Sequence, residues 1–301
     1  MNKLFMMIGL PASGKSTIAK EISESEEAII VSSDEIRKEL LGDVNDQNNN
    51  ELVFKEVEKR IIEGLKVGNV IYDATNINYK KRMAFLQKLN KLEVEKIAVL
   101  VAVPYEECLS RNKDRERKIP EEVITRMYHN FYVPQYFEGF NDIQIRFNTE
   151  IEFDRALLFE RMDKFNQDNP HHQLTLGEHC RKCAEILTEH DSFNLLTIFA
   201  GLLHDIGKIN TKSFVNSKGE TTEIGHYYNH EKVGAYMSLF YTKDLCLINI
   251  REILYIAQLI QWHMLPWQEL SKKTIDKYKN RFGKDFWKDL MILHKADEGA
   301  H

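Results

Sequence analysis

The chain has 301 residues, 43% of them hydrophobic and 29% charged, with a formal net charge of −5. This length admits one or two domains with sizeable cores, and the mild acidity argues against a broad basic surface for coating nucleic acid while leaving room for a local basic groove. Four cysteines, Cys108, Cys180, Cys183 and Cys246, make no disulfide framework at this length, and no apolar run approaches a membrane span, so a cytoplasmic protein without membrane contact is expected.

The first apolar run, Leu4-Phe5-Met6-Met7-Ile8, leads straight into Gly9-Leu10-Pro11-Ala12-Ser13-Gly14-Lys15-Ser16-Thr17, leaving no room for a cleavable signal. The motif reads G-x-x-x-x-G-K-S, and Ile18-Ala19-Lys20-Glu21-Ile22 continues it in a helical pattern. Strand, glycine loop and helix is the context that gives this motif its meaning. Gly9, Ser13 and Gly14 let backbone N–H groups turn inward around phosphate oxygens, and the helix N-terminus adds positive potential. Lys15 is placed to reach the β- and γ-phosphates, and Ser16, followed by Thr17, to ligate Mg²⁺. This half is expected to bind ATP or another nucleoside triphosphate.

From residue 1 to about 150, strand-like and helix-like segments alternate. Lys3–Ile8, Ala28–Ser32, Val70–Asp73 and Ile97–Val103 are short, apolar and β-branched, and helical patterns lie near 14–23, 34–41, 50–67 and 79–90. Such alternation predicts an α/β unit, a parallel sheet with helices on both faces. Asp34 and Arg37 follow the second strand, where a parallel sheet gathers its active site. Asp34 there can take the proton of an attacking hydroxyl, and Arg37, one turn on, can hold an anionic acceptor group. Ser32 and Glu35 also read as a helix cap, with Asp34 merely in the first turn. Asp73 can help hold Mg²⁺ or orient the acceptor, or only cap the next loop. In Arg111-Asn112-Lys113-Asp114-Arg115-Glu116-Arg117-Lys118, Arg111 and Arg115 are spaced to share a helix face and can close over a transferring phosphoryl group. The same run also reads as a solvated charged face.

Beyond about 155 the strands vanish from the pattern. Helical periodicity fills 155–165, 175–190, 194–205, 230–241, 250–264 and 284–298, and Asn166-Gln167-Asp168-Asn169-Pro170 is a turn-rich break. The expected division is 1–150, a linker or helix at 151–167, and an all-α domain at 168–301. His204-Asp205-Ile206-Gly207-Lys208 ends the apolar helix 195–203. His179 and His230 start helices, His263 lies on an apolar helix face, and Asp297 lies on the Phe286-Leu290-Leu293 stripe. Unpaired imidazoles and carboxylates on buried faces cost several kcal/mol, and metal coordination removes that cost. Cys180-Arg-Lys-Cys183 has C-x-x-C spacing without a second pair and reads as helix packing. His171, His172, His226 and His294 read as surface or substrate-side residues.

Two resemblances sharpen these readings. Gly9–Thr17, Asp34-x-x-Arg37, Asp73-Ala74-Thr75-Asn76 and Arg111-Asn-Lys-Asp-Arg115 resemble the 5′-hydroxyl polynucleotide kinases of the phage end-healing type, over roughly residues 1–150. That resemblance implies Asp34 as general base, Arg37 on the acceptor phosphate, and Arg111 and Arg115 as lid arginines on the donor. His179, His204-Asp205, His230, His263 and Asp297 resemble the HD-domain phosphohydrolases, in particular their two-metal members. It implies one ion on His179, His204, Asp205 and Asp297, a second on His230 and His263 bridged by Asp205, and Lys208 on the substrate phosphate. Mixed nitrogen and oxygen donors favour Mn, Ni, Co, Fe or Zn over Mg. Together the halves resemble bifunctional end-healing enzymes that phosphorylate 5′-hydroxyl ends and remove 2′,3′-cyclic, 2′- or 3′-phosphate, which implies RNA or DNA ends and a ligase as partners. The alternative is a small-molecule or nucleoside kinase fused to a nucleotide phosphohydrolase.

Overall fold

In the computed structural model, which describes residues 1–46, 48–169, 173–192, 194–245 and 248–300, the apolar run Asn2–Ile8 forms β1. α1 (Lys15–Glu26), β2 (Ala28–Ser32), α2 (Ser33–Leu41), α3 (Asn50–Gly64), β3 (Asn69–Asp73), α4 (Tyr79–Lys88), β4 (Val94–Ala102), α5 (Tyr105–Lys113), α6 (Glu121–His129) and β5 (Asp142–Phe147) follow. The five strands form one parallel sheet in the order β2-β3-β1-β4-β5. Successive side chains of a strand point to opposite faces. Phe5 and Met7 of β1 pack with Ala19 and Ile22 of α1, and Leu4, Met6 and Ile8 on the other face are also fully buried. Burial on both faces explains why these strands read as continuous apolar runs.

An ion pair is sealed inside this unit. Arg82 on α4 grips Glu138 with two bonds of 2.6 Å, both side chains being essentially inaccessible. Arg82 also donates to the Asn76 carbonyl at 2.8 Å, and Glu138 accepts from the Gln135 N–H at 3.0 Å. The pair thus ties the loop after β3 to the turn before β5.

The second half is helical, with one exception. α7 (Arg155–Asp163), α8 (Leu176–Thr188), α9 (Leu195–Leu203), α10 (Lys208–Thr211), α11 (His230–Thr242), α12 (Ile250–Trp262), α13 (Lys272–Phe282) and α14 (Lys284–Gly299) are interrupted by an antiparallel hairpin of β6 (Ser213–Val215) and β7 (Thr221–His226). The expectation that strands vanish after 155 is corrected here: Asn216–Gly219 makes a turn, with Gly219 at φ +83°, and Thr221, Thr222 and Ile224 supply β-branched residues. β5, α6 and α13 are likewise absent from the sequence reading. His171, His172 and Cys246, and Pro170 at the end of the turn-rich break, lie outside the described residues. No helix among the described residues is long and apolar enough to cross a membrane.

The chain divides into two compact units, residues 1–128 with 134–150, and residues 129–133 with 151–301. The segment 129–133 is anchored within the second unit. Val133 N donates to Gln261 Oε1 at 2.7 Å, Gln261 Nε2 donates back to Val133 O at 3.3 Å, and the Phe131 and Tyr236 rings lie 4.7 Å apart.

Removing one partner of the buried pair strands the other charge. Glu138→Leu is expected to destabilise the first unit by about 3–5 kcal/mol, and Arg82→Met/Glu138→Leu by less. Urea denaturation of the full chain measures both, and a double variant worse than the single would contradict this account.

Candidate active sites

The phosphate loop joins β1 to α1. Gly14 precedes the helix at φ +85°, the left-handed region that favours glycine. A Cβ at Gly14 would also collide with the Asn148 amide, whose Nδ2 donates to Ser13 O at 2.9 Å. Lys15 is buried and donates to Leu10 O at 2.6 Å and to Ser13 Oγ at 3.4 Å. Burial pushes its ammonium down to about 8, against the pull of nearby Asp73. A phosphate is the anion that would restore that charge. Ser16 Oγ donates to Asp73 Oδ2 at 2.8 Å, so the end of β3 delivers a buried carboxylate beside the hydroxyl that reads as a Mg²⁺ ligand. Gly9 is held close: the Val101 carbonyl lies 2.9 Å from where its Cβ would be.

On the other side of the loop, Ser32 caps α2 by accepting from Glu35 N, which leaves Asp34 in the first turn with its side chain 52% exposed. Two arginines hold it. Arg37 Nη1 donates to Oδ1 at 3.2 Å, and Arg117 Nη1 to Oδ2 at 2.6 Å. Arg37 is 4% exposed, gives Nη2 to Asn50 Oδ1 at 2.7 Å, and has a buried Nε without a partner among the described residues. It is better placed to orient Asp34 than to meet an acceptor in the open. Arg117 also donates to Asn45 Oδ1 and the Val44 carbonyl, at 3.0 and 3.1 Å. It was not singled out in the sequence, where it is one cation among several.

The expected shared helix face of Arg111 and Arg115 is not present. α5 ends at Lys113, because the buried Asn112 side chain bonds both N and O of Ile119 and folds 114–118 into a loop. Arg111 stays on the helix, donating to Glu107 at 2.6 Å and to Asn148 O at 2.7 Å, one residue away in bonding from the phosphate loop. Arg115 is exposed on the loop, and its charge is felt by Lys15.

In the second unit the six candidate ligands are all buried and converge. His179, His204 and Asp297 offer atoms within 4.8 Å of one another, and so do Asp205, His230 and His263. Local folding aims each group. The Thr175–Glu178 capping box starts α8, carrying His179. His204, His230 and His263 each bond through Nδ1 to a backbone carbonyl, of Gly201, Tyr227 and Ile260, at 2.8, 2.8 and 2.7 Å. That fixes Nδ1 as the donor and turns the Nε2 lone pair inward. A Cβ at Gly207 would strike the His230 carbonyl and Gly234 N, so glycine is what lets α10 and α11 close on each other.

Asp205 sits between the two groups. Its Oδ1 is 3.1 and 3.6 Å from Nε2 of His230 and His263, and its Oδ2 is 3.4 and 3.6 Å from Nε2 of His204 and His179. Nε2 atoms face each other at 3.1 Å for His179 and His204, and at 3.2 Å for His230 and His263. Two nitrogens each ~2.0–2.1 Å from one ion lie roughly 3 Å apart, so the donor set fits a divalent cation in each group. Lys208 is buried and donates to Asp205 Oδ2 at 2.7 Å and Gln167 Oε1 at 2.8 Å. Gln167, whose carbonyl also accepts from Tyr227 OH, was not singled out in the sequence. Cys180 and Cys183 are buried free thiols, and burial pushes Cys183 up to about 12. His226 stacks on Tyr228 and His294 meets the Trp267 ring; neither is in either ligand group.

The electrostatics of the metal-free cluster ask for a cation. Burial opposes charge on His204, Asp205 and Asp297, yet the two carboxylates hold His204 well above its ordinary pKa, Lys208 and His204 hold Asp205 well below its own, and His204 and His179 do the same for Asp297. His263 is pushed down by burial. The His204 contribution to stability is present below its ordinary value and lost as pH rises through its raised value; that of Asp297 is lost only in acid. Chelator-treated protein is therefore expected to lose melting temperature as pH rises above the ordinary histidine range, and protein loaded with Mn²⁺ to lose less, as followed by thermal denaturation. Parallel pH curves with and without metal would contradict this.

Residues 4–134 match the family model described as an AAA domain, and residues 171–298 match that of the HD domain. A curated relative, L-seryl-tRNA(Sec) kinase of Methanococcus maripaludis, is 29% identical over 51% of this chain, which spans 63% of that protein's length. Among solved structures, a chain of the Pnkp1/Rnl/Hen1 RNA repair complex is 27% identical with a TM-score of 0.37, over 42% of each chain. A gluconokinase from Sinorhizobium meliloti 1021 is 13% identical with a TM-score of 0.37, over 50% of this chain and 84% of that one. The chain is a P-loop kinase domain of the AAA type followed by a helical HD domain with grouped residues able to hold divalent metal.

Proposed function

We propose that the chain heals nucleic-acid ends, phosphorylating a 5′-hydroxyl from ATP or another nucleoside triphosphate and removing 2′,3′-cyclic, 2′- or 3′-phosphate at the 3′ end. The observation that carries the kinase half is the exposed Asp34 carboxylate beside the phosphate loop, held by Arg37 and Arg117. An acceptor hydroxyl at Asp34 can give up its proton, while Arg117, the more exposed of its two arginines, favours an acceptor that bears phosphate. Lys15 and Arg111, with Arg115 on its loop, would hold the donor phosphates, and Ser16 with Asp73 would hold Mg²⁺, which neutralises charge developing on the transferred group. The curated relative is named a seryl-tRNA kinase, which agrees with an RNA-borne acceptor.

In the second unit, His179, His204 and Asp297 would hold one divalent transition ion, His230 and His263 a second, and Asp205 both. Such a pair lowers the pKa of bound water and clamps a phosphoryl group. Lys208 fixes one oxygen of Asp205, and reaches a substrate phosphate only by leaving Gln167. RNA ends, a ligase that uses the healed ends, and a cytoplasmic setting follow from this reading. A nucleoside or small-molecule acceptor is the second reading, favoured by the net charge of −5.

Asp34→Ala is expected to lower phosphoryl transfer to a 5′-hydroxyl oligonucleotide by about two to four decades with ATP binding kept. Wild-type turnover in that variant would reduce Asp34 to a helix residue, and transfer to nucleosides but not to oligonucleotides would favour the second reading. Metal-stripped protein should take up about two equivalents of Mn²⁺ or Co²⁺, with His263→Ala losing one and Asp205→Ala weakening both. Equal stoichiometry in wild type and His263→Ala, by competitive chelator titration, would count against a second ion.

A further inference from the structure

α13 is used by neither proposed reaction, and it has no buried residue. It is held from one side only. The Tyr278 and Phe282 rings lie 5.8 and 5.1 Å from that of Trp262, and Phe282 lies 5.2 Å from Phe286. The outward side carries Lys273, Lys277 and Arg281 one turn apart, beside Lys272, Asp276 and Asn280, and together these line a shallow surface depression. Five cations and one anion in 11 residues give this helix a charge of +4 within a chain of −5. Like charges one turn apart repel. Among the described residues, none of Lys273, Lys277 and Arg281 has an ion-pair partner to relieve them.

The helix also begins near the metal-ligand groups. Trp267 donates Nε1 to Asp297 Oδ2 at 3.2 Å while remaining 41% exposed. The chain from Trp267 to Lys272 can span at most about 18 Å. An exposed indole touching a ligand carboxylate thus leads directly into a row of unpaired cations. A membrane surface is a poor match, because the apolar side of α13 is already packed on Trp262 and Phe286 and none is left to insert.

We propose that Trp267 and the outward face of α13 form a track for single-stranded nucleic acid whose 3′ end enters the Asp205 centre. A base stacks on Trp267, and upstream phosphates lie against Lys273, Lys277 and Arg281. Stacking on an aromatic beside a basic row is how single strands are held without reading sequence. This inference rests on the end-healing reading for its substrate, but its test is a binding test.

The test is anisotropy of a labelled single strand of about 12 nucleotides with a 3′-hydroxyl, in wild type and in K273E/K277E/R281E, at about 50 and 200 mM salt. The expected result is at least a tenfold loss of affinity at low salt, with the log–log salt slope reduced by about two, since each single-strand phosphate contact contributes about 0.7. Metal uptake and hydrolysis of a 3′-phosphorylated mononucleotide should be unchanged. Trp267→Ala should raise KM for an oligonucleotide end, and Trp267→Phe should restore it, because phenylalanine stacks but lacks the N–H that supports Asp297. Equal oligonucleotide binding by the triple variant overturns the proposal, as does a loss confined to phosphatidylserine vesicles. Charge-dependent binding in a protein that hydrolyses no oligonucleotide end keeps the track and removes the end-healing reading.

Discussion

The second unit is organised around the buried charge of the Asp205 carboxylate. It is 3% exposed, and each oxygen faces a different pair of imidazoles. A carboxylate that deep is tolerable only when paired and hydrogen-bonded. The helix ends answer that requirement: three histidines surrender Nδ1 to a carbonyl three residues back, and glycine at 207 removes the bulk that would keep His230 away. Lys208 completes the shell as the nearest ammonium. The local capping, the close helix approach and the ring orientations all serve one buried anion.

In the first unit the corresponding problem is a buried cation. Lys15 loses much of its preference for charge by being enclosed, and the loop offers it the Leu10 carbonyl and the Ser13 hydroxyl. Across the loop the signs are reversed, with the Asp34 carboxylate between two arginines. Both sides of the loop therefore carry positive charge that a phosphate could meet, Lys15 within it and Arg117 beside Asp34.

How much of this was legible depends on whether the signal was local. The phosphate loop, Asp34 after β2 and the six metal-ligand candidates could be read because glycine spacing and polar residues on apolar stripes are visible within one turn or one strand. The Arg82–Glu138 pair could not be read, since its partners are distant in sequence and each resembles an ordinary surface charge. Arg111 and Arg115 misled because Asn112, a residue of no special appearance, ends α5 by bonding across to Ile119. α13 escaped notice because its apolar side is only Ile275, Tyr278 and Phe282 among cations, and the hairpin 213–226 because its strands are short and half-exposed.

The brief segment 129–133 sets the order of synthesis against the division into units. It belongs to the second unit, yet it precedes β5, the last strand of the first. On the ribosome the second unit's first piece therefore emerges while the first sheet is still one strand short, and it must wait for the helices beyond residue 150 before it can pack. The same interleaving constrains recombination. A single crossover near residue 150 would hand over the helices without Phe131 and Val133, leaving Gln261 without its backbone partner and Tyr236 without its neighbouring ring.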